Sequence, residues 1–107
     1  MGQFLGEFEQ LILLALLRLG EDAYGVSIRA EIEQRTGRDV SIGSVYTTLE
    51  RMERKGYVRS AIGQPTPERG GRRKKYYHLA AGGQAALSHT LRAVRSMTEG
   101  LAPELVE

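Results

Sequence analysis

The sequence has no cysteine, no tryptophan, only three prolines and two phenylalanines. Without cysteine there is no disulfide framework, thiolate metal site or thiol nucleophile, so nothing points to an oxidising compartment and the cytoplasm is the expected location. Long hydrophobic runs are also missing. The longest, Leu11 to Leu17, is about a third of the roughly 20 residues a membrane span needs, and Glu7 and Glu9 precede it. Neither an anchor nor a signal peptide is expected, and no membrane partner. Histidine is scarce: His78 alternates with strand-type residues and His89 falls on a polar helix face, so no base–nucleophile pair or metal cluster emerges. An enzyme is therefore not expected, nor a cofactor or metal. The 107 residues, 41% of them hydrophobic, suit one compact domain.

What is present is a basic middle. The formal net charge is +2, but residues 1–40 carry four Arg against seven acids, and residues 79–107 two Arg against three Glu. Residues 41–78 carry nine Lys or Arg against three Glu. A polyanion would be drawn there, because neutralising phosphates releases condensed counterions from duplex DNA.

Along the chain, Glu7 to Leu19 reads as a first helix stopped by Gly20. Its apolar residues Phe8, Leu11, Ile12, Leu14, Ala15, Leu16, Leu17 and Leu19 coat more of the circumference than one core requires. Either this helix is central or its outer side meets another subunit. Tyr24, Ile28 and Ile32 recur every four residues through a second helix, with Asp22 as its expected N-cap and Gly37 near its end. A third helix starts after Ser41 and stops at Gly56. Its inner stripe is expected to be Ile42, Val45, Tyr46, Leu49 and Met52, with Gly43, Ser44, Thr47, Thr48 and Arg51 on other faces. Tyr57 to Ile62 and Lys74 to Leu79 have strand character. Gly63 to Arg73, holding three Gly and two Pro, joins them as a long hairpin tip. A last helix runs from Ala81 to Gly100, before Pro103.

This order, α-α-α-β-β-α, is mainly helical with a small β-hairpin and is that of a winged helix-turn-helix with a C-terminal dimerisation helix. Residues 1–79 form the DNA-binding part and residues 80–107 the dimerisation helix and tail of one compact unit. In such a fold the third helix enters the major groove of double-stranded DNA. The Ser41 end can rest on a phosphate, and Gly43 permits close approach. Ser44, Thr47 and Thr48 are short enough for the helix to sit deep, while Arg51 can reach a guanine edge or a backbone oxygen. The Tyr46 ring is expected to pack inward with its hydroxyl toward phosphate. Arg69, Arg72, Arg73, Lys74 and Lys75 give the hairpin five positive charges in seven residues, suited to backbone or minor-groove contact.

Three stretches carry a resemblance: LILLALLRLGEDAYGVSI from Leu11 to Ile28, SIGSVYTTLERMERKGYV from Ser41 to Val58, and GGRRKKYYHL from Gly70 to Leu79. With its Ala-Tyr-Gly turn, Gly-Ser-x-Tyr helix opening and Gly-Gly-Arg-Arg-x-x-Tyr-Tyr wing, the chain resembles PadR-type regulators over most of residues 5–90. The resemblance implies transcriptional repression, operator binding as a dimer and, in some members, release by a small ligand near the subunit interface. Ile42 and Thr47 stand where that family often has Pro, and Ala80 replaces a capping Thr at a cost of about 1 kcal/mol. A single tail helix would place the chain with the short members of the family.

Leu87, Leu91, Val94, Thr98 and Leu101 are spaced four, three, four and three, a coiled-coil-type seam of about two heptads. It could pack on its own domain or on another subunit. The excess apolar surface of helix one, Phe8 included, favours a homodimer in which helix one of one subunit meets the tail of the other. Position 12, an isoleucine, is given no interface role. Two recognition helices would then face half-sites about one DNA turn apart in a pseudo-palindromic operator. A small-molecule effector, if one exists, is expected to be flat and apolar or aromatic, with Phe4 and Phe8 as the only aromatic walls near helix one. The alternative is a winged-helix module that binds protein or RNA without an operator; MarR-like and penicillinase-repressor-like regulators would share the groove contacts.

Overall fold

A computed structural model of the chain describes residues 4–63 and 73–103. Its elements are α1 (Glu7–Leu19), a 3₁₀ turn (Gly20–Asp22), α2 (Gly25–Thr36), α3 (Ile42–Arg54), β1 (Val58–Ile62), β2 (Lys75–Leu79) and α4 (Ala81–Thr98).

Each boundary has a local cause. Gly6 caps α1 in a box with Glu9, whose Oε1 accepts the Gly6 N–H at 2.9 Å. Gly20 at φ 60° and Gly37 at φ 71° end α1 and α2 in conformations that β-carbons disfavour. The cap of α2 differs from expectation. Tyr24, not Asp22, is the N-cap, and Ser27 Oγ accepts the Tyr24 N–H while donating to the Asp22 carbonyl. Asp22 is drawn instead into the 3₁₀ turn. Ser41 caps α3 as expected, its Oγ accepting from Ser44 N at 3.1 Å. Ala80 opens α4 with no side-chain cap.

The core gathers Ile12, Leu13, Ala15 and Leu16 of α1, Ile28 and Ile32 of α2, and Val45, Leu49 and Met52 of α3, closed by Val58 and Tyr77 of the hairpin. Antiparallel pairing runs from Val58 opposite Leu79 to Ile62 opposite Lys75. The hairpin is tied to the helices through Tyr77 N–H, which donates to the Ala23 carbonyl at 2.8 Å, and through a bridge from Tyr24 to Tyr76. The wing root and the start of α2 are thus one hydrogen-bonded unit.

The tail helix corrects one expectation. Leu87, expected in an intersubunit seam, is 4% exposed and packs with Gly83, Ala86 and Thr90 on this domain's own core. Thr90 Oγ1 accepts the Leu5 N–H at 3.0 Å in a buried bond that pins the chain before α1 to α4. Thr98 is half-buried, whereas Leu91, Val94, Met97 and Leu101 are exposed. The spacing found the helix, but its inner face is turned by the close approach of Gly83 to the Tyr57 backbone before β1 and to Leu79 of β2. Phe8 is likewise partly buried against the core, with Arg38 over its ring at 5.7 Å. Helix α1 leaves Leu17 exposed and Leu11, Leu14 and Leu19 half-buried.

Candidate nucleic-acid interface

Thirteen residues of α3 at 3.6 per turn place Gly43, Thr47, Glu50 and Arg54 in one row, and all four are exposed. Ser44 flanks this row near the N-terminus. Its hydroxyl donates to the Ser41 carbonyl at 2.9 Å, and Ser41 Oγ donates to Ser44 Oγ at 3.0 Å, so both serines are engaged in capping.

Three side chains of α3 sit differently from the sequence reading. Thr48 is 5% exposed and belongs to the inner face beside Val45, Leu49 and Met52, so it is not available to a partner in the groove. Tyr46, expected on the inner stripe, is 40% exposed, its ring lying over Gly25 at the start of α2. Arg51 is turned toward α1, where its guanidinium stands 3.5 Å from Glu9 Oε2. Lys55 Nζ approaches the same oxygen at 3.8 Å. Glu9 therefore caps α1 with one oxygen and clasps α3 with the other. The helical period alone cannot see this, because the partner lies 42 residues away in sequence.

The wing root supplies the cations. Arg73 and Lys75 are exposed and Lys74 is half-buried, its Nζ over the Tyr24 ring at 4.5 Å. Lys75 Nζ lies 3.9 Å from Glu53, whose other carboxylate oxygen accepts from Ser60 Oγ at 2.6 Å. Arg69 and Arg72 lie outside the described residues. Between wing root and α3 is a cleft of about 400 Å³ lined by Tyr24, Val26, Tyr46, Arg73, Lys74 and Lys75. A second hollow of about 320 Å³ at the α3 N-terminus is lined by Arg38, Asp39, Val40, Ser41, Ser44 and Phe8. Burial, with smaller contributions from Glu53, Glu50 and Tyr46, raises the pKa of Tyr77 beneath this surface and keeps its phenol neutral.

The sequence reading missed Glu50, Arg54 and Arg59, which are exposed, and Tyr24. Extending the i, i+4, i+7, i+11 row from Gly43 would have found Glu50 and Arg54; the role of Tyr24 needed the contact with Lys74. Among the described residues no group of three His, Asp or Glu is placed to hold a metal, and no helix is long and apolar enough to cross a membrane.

Three helices closed by a two-stranded wing, with the polar row of α3 beside the wing root, define a winged helix-turn-helix. The profile of the Transcriptional regulator PadR-like family matches residues 13–89, and the chain belongs to that family. It is similar to a PadR family transcription regulator from Clostridium difficile at 28% identity and TM-score 0.72, over 88% of this chain and 93% of that one. A PadR-like transcriptional regulator from Bacillus cereus shares the fold at 23% identity and TM-score 0.66, over 87% and 92%. So does Bacillus subtilis PadR, solved in complex with operator DNA, at 24% identity and TM-score 0.65, over 79% of this chain and 46% of that one. No curated protein sequence matches this chain.

Proposed function

We propose that this PadR-family regulator is a sequence-specific repressor that binds duplex DNA as a homodimer on a pseudo-palindromic operator in the cytoplasm. The observation that carries the reading is the convergence on one face of the α3 row, the Ser41-capped N-terminus and the cationic wing root. Helix N-termini favour anions, and a polar helix face of small side chains fits the major groove. Arg73 and Lys74, with Arg69 and Arg72 of the tip, take phosphate contacts; Thr47 and Arg54 face base edges. The fold shared with Bacillus subtilis PadR, itself bound to operator DNA, supports this assignment.

Dimerisation rests on the exposed stripe of Leu91, Val94 and Met97 on α4, with Leu101 just beyond its end, since surfaces this apolar are normally covered. An inducer, flat and apolar or aromatic, would enter between α1 and α4. Phe4, exposed and 4.7 Å from the His89 ring, is the better-placed wall, because Phe8 is already packed.

The test is affinity for duplex selected from genomic DNA, for random duplex and for single-stranded RNA, across a salt series. The operator is expected to bind at least about a thousandfold more tightly than random duplex. Arg73→Ala with Lys74→Ala should weaken both duplexes alike and reduce the salt slope by roughly 0.9 for each phosphate no longer neutralised. Preference for RNA, or no duplex binding at all, would overturn the assignment.

A further inference from the structure

The middle of the α3 row carries an acid where a surface seeking phosphate would carry a base. Glu50 is exposed, three residues beyond Thr47 and four before Arg54 on the same face. The ion pairs among the described residues use Glu7, Glu9, Glu31, Glu33 and Glu53, and none uses Glu50. Arg54, one turn on, is not paired with it. Glu53 makes the contrast plain, since its carboxylate is occupied by Ser60 and Lys75 at the wing root.

A carboxylate without a partner, pressed toward a wall of phosphates, weakens binding to every sequence unless it meets a donor. In the major groove the base edges differ in what they offer. Guanine presents N7 and O6, and thymine O4, all acceptors that repel a carboxylate. Cytosine presents the N4 amino group alone, whereas adenine sets acceptor N7 beside its N6 donor. A single carboxylate on the central row therefore fits cytosine best and rejects guanine and thymine outright. Rejection of the wrong partner is a common source of specificity.

We propose that Glu50 is the sequence-selecting acid of this regulator, accepting a hydrogen bond from a cytosine N4 amino group and excluding guanine and thymine at that position. This rests on the DNA-reading role of α3 given above. It explains why a protein with a basic wing keeps an acid at the centre of its recognition helix: the wing holds any duplex, and Glu50 makes the wrong ones unfavourable.

The experiment is selection from a randomised duplex library by the full chain, by Glu50→Gln and by Glu50→Ala, with binding to random duplex measured beside it. Wild type should enrich one cytosine per half-site. Glu50→Ala should lose discrimination at that position alone, by about 5- to 150-fold, and Glu50→Gln should move the preference toward adenine, which a carboxamide reads through N6 and N7. Both variants should bind random duplex more tightly, having shed a negative charge, and should melt as wild type does because the side chain is exposed. If wild type enriches a sequence and both variants enrich the same one, Glu50 is not the selecting residue although DNA reading stands. If wild type enriches nothing, both readings fall.

Discussion

The ring of Tyr46 on α3 lies against Gly25, the first residue of α2, so closely that a Cβ on Gly25 would stand 2.5 Å from Tyr46 Cε1 and nearer still to its Cζ and hydroxyl. Two helices of the proposed DNA-facing surface thus meet where one residue has no side chain. Because Tyr46 is 40% exposed, its ring has room to swing out. Gly25→Ala is therefore expected to change stability by no more than about 1 kcal/mol, the displacement of the ring being partly offset by better helix propensity. Duplex affinity should fall about tenfold, the equivalent of one hydrogen bond of ~1.4 kcal/mol. Combining Gly25→Ala with Tyr46→Ala separates the causes. In the alanine background at 46 the glycine substitution should do little, and full additivity in both melting and binding would show that the ring does not transmit the effect.

Gly83 behaves oppositely. A Cβ there would meet the Tyr57 carbonyl, 2.9 Å from its carbon, and Leu79 Cδ1 at 2.9 Å. Backbone cannot step aside as a tyrosine ring can, so Gly83→Ala must lift α4 off the Tyr57 backbone that leads into β1. Overpacking of this kind costs roughly 3 kcal/mol. Urea titration of the purified variant checks it; a midpoint equal to that of wild type would mean that α4 rides freely on the hairpin.

Glu9 holds Arg51 and Lys55 toward α1, yet both cations are more than 40% exposed at their side chains. Screening limits such pairs, and Glu9→Gln keeps an acceptor for the Gly6 N–H, so its stability cost is expected at about 0.5–1 kcal/mol. The effect on DNA should run the other way. Two released cations, Arg51 on α3 and Lys55 at its C-cap, should tighten random-duplex binding and steepen its salt slope by up to roughly 0.9 for each additional phosphate neutralised. Isotherms at several salt concentrations decide this: an unchanged slope would leave Arg51 and Lys55 without reach to the phosphates.

Neighbouring leucines of α4 should give two distinct phenotypes. Leu91→Glu changes an exposed residue and is expected to yield a folded monomer in sedimentation, whereas Leu87→Glu buries a charge and should unfold the domain. Met97→Glu, one of the most exposed apolar positions of the helix, should behave as Leu91→Glu does. Wild type sedimenting only as monomer at about 100 µM, well above the affinities of stable dimers, would refute the tail interface.

Much of the architecture was legible in the chain. The span of α1 and the starts of α3 and α4 follow from apolar period, from Ser41 and from the glycines that end α1 and α2, because these act over a few residues and owe little to the rest of the fold. The strands are each one residue shorter than their sequence pattern, since Tyr57 and Lys74 lie beyond the paired register.

The chain by itself therefore determined the order of elements, the Ser41 cap of α3, the glycines that end α1 and α2 and the basic character of the wing root, all consequences of local propensity and composition. Tertiary structure alone decided which flanking side chains face inward. Thr48 and Leu87 sit at the edges of their helical stripes, where a rotation of a few tens of degrees moves a residue from solvent to core. That rotation is set by α1 across α3 and by the contact of Gly83 on α4 with the Tyr57 backbone and Leu79. Arg51 was decided by Glu9, a partner from another helix, because an ion pair depends on distance in space and not on position in the sequence.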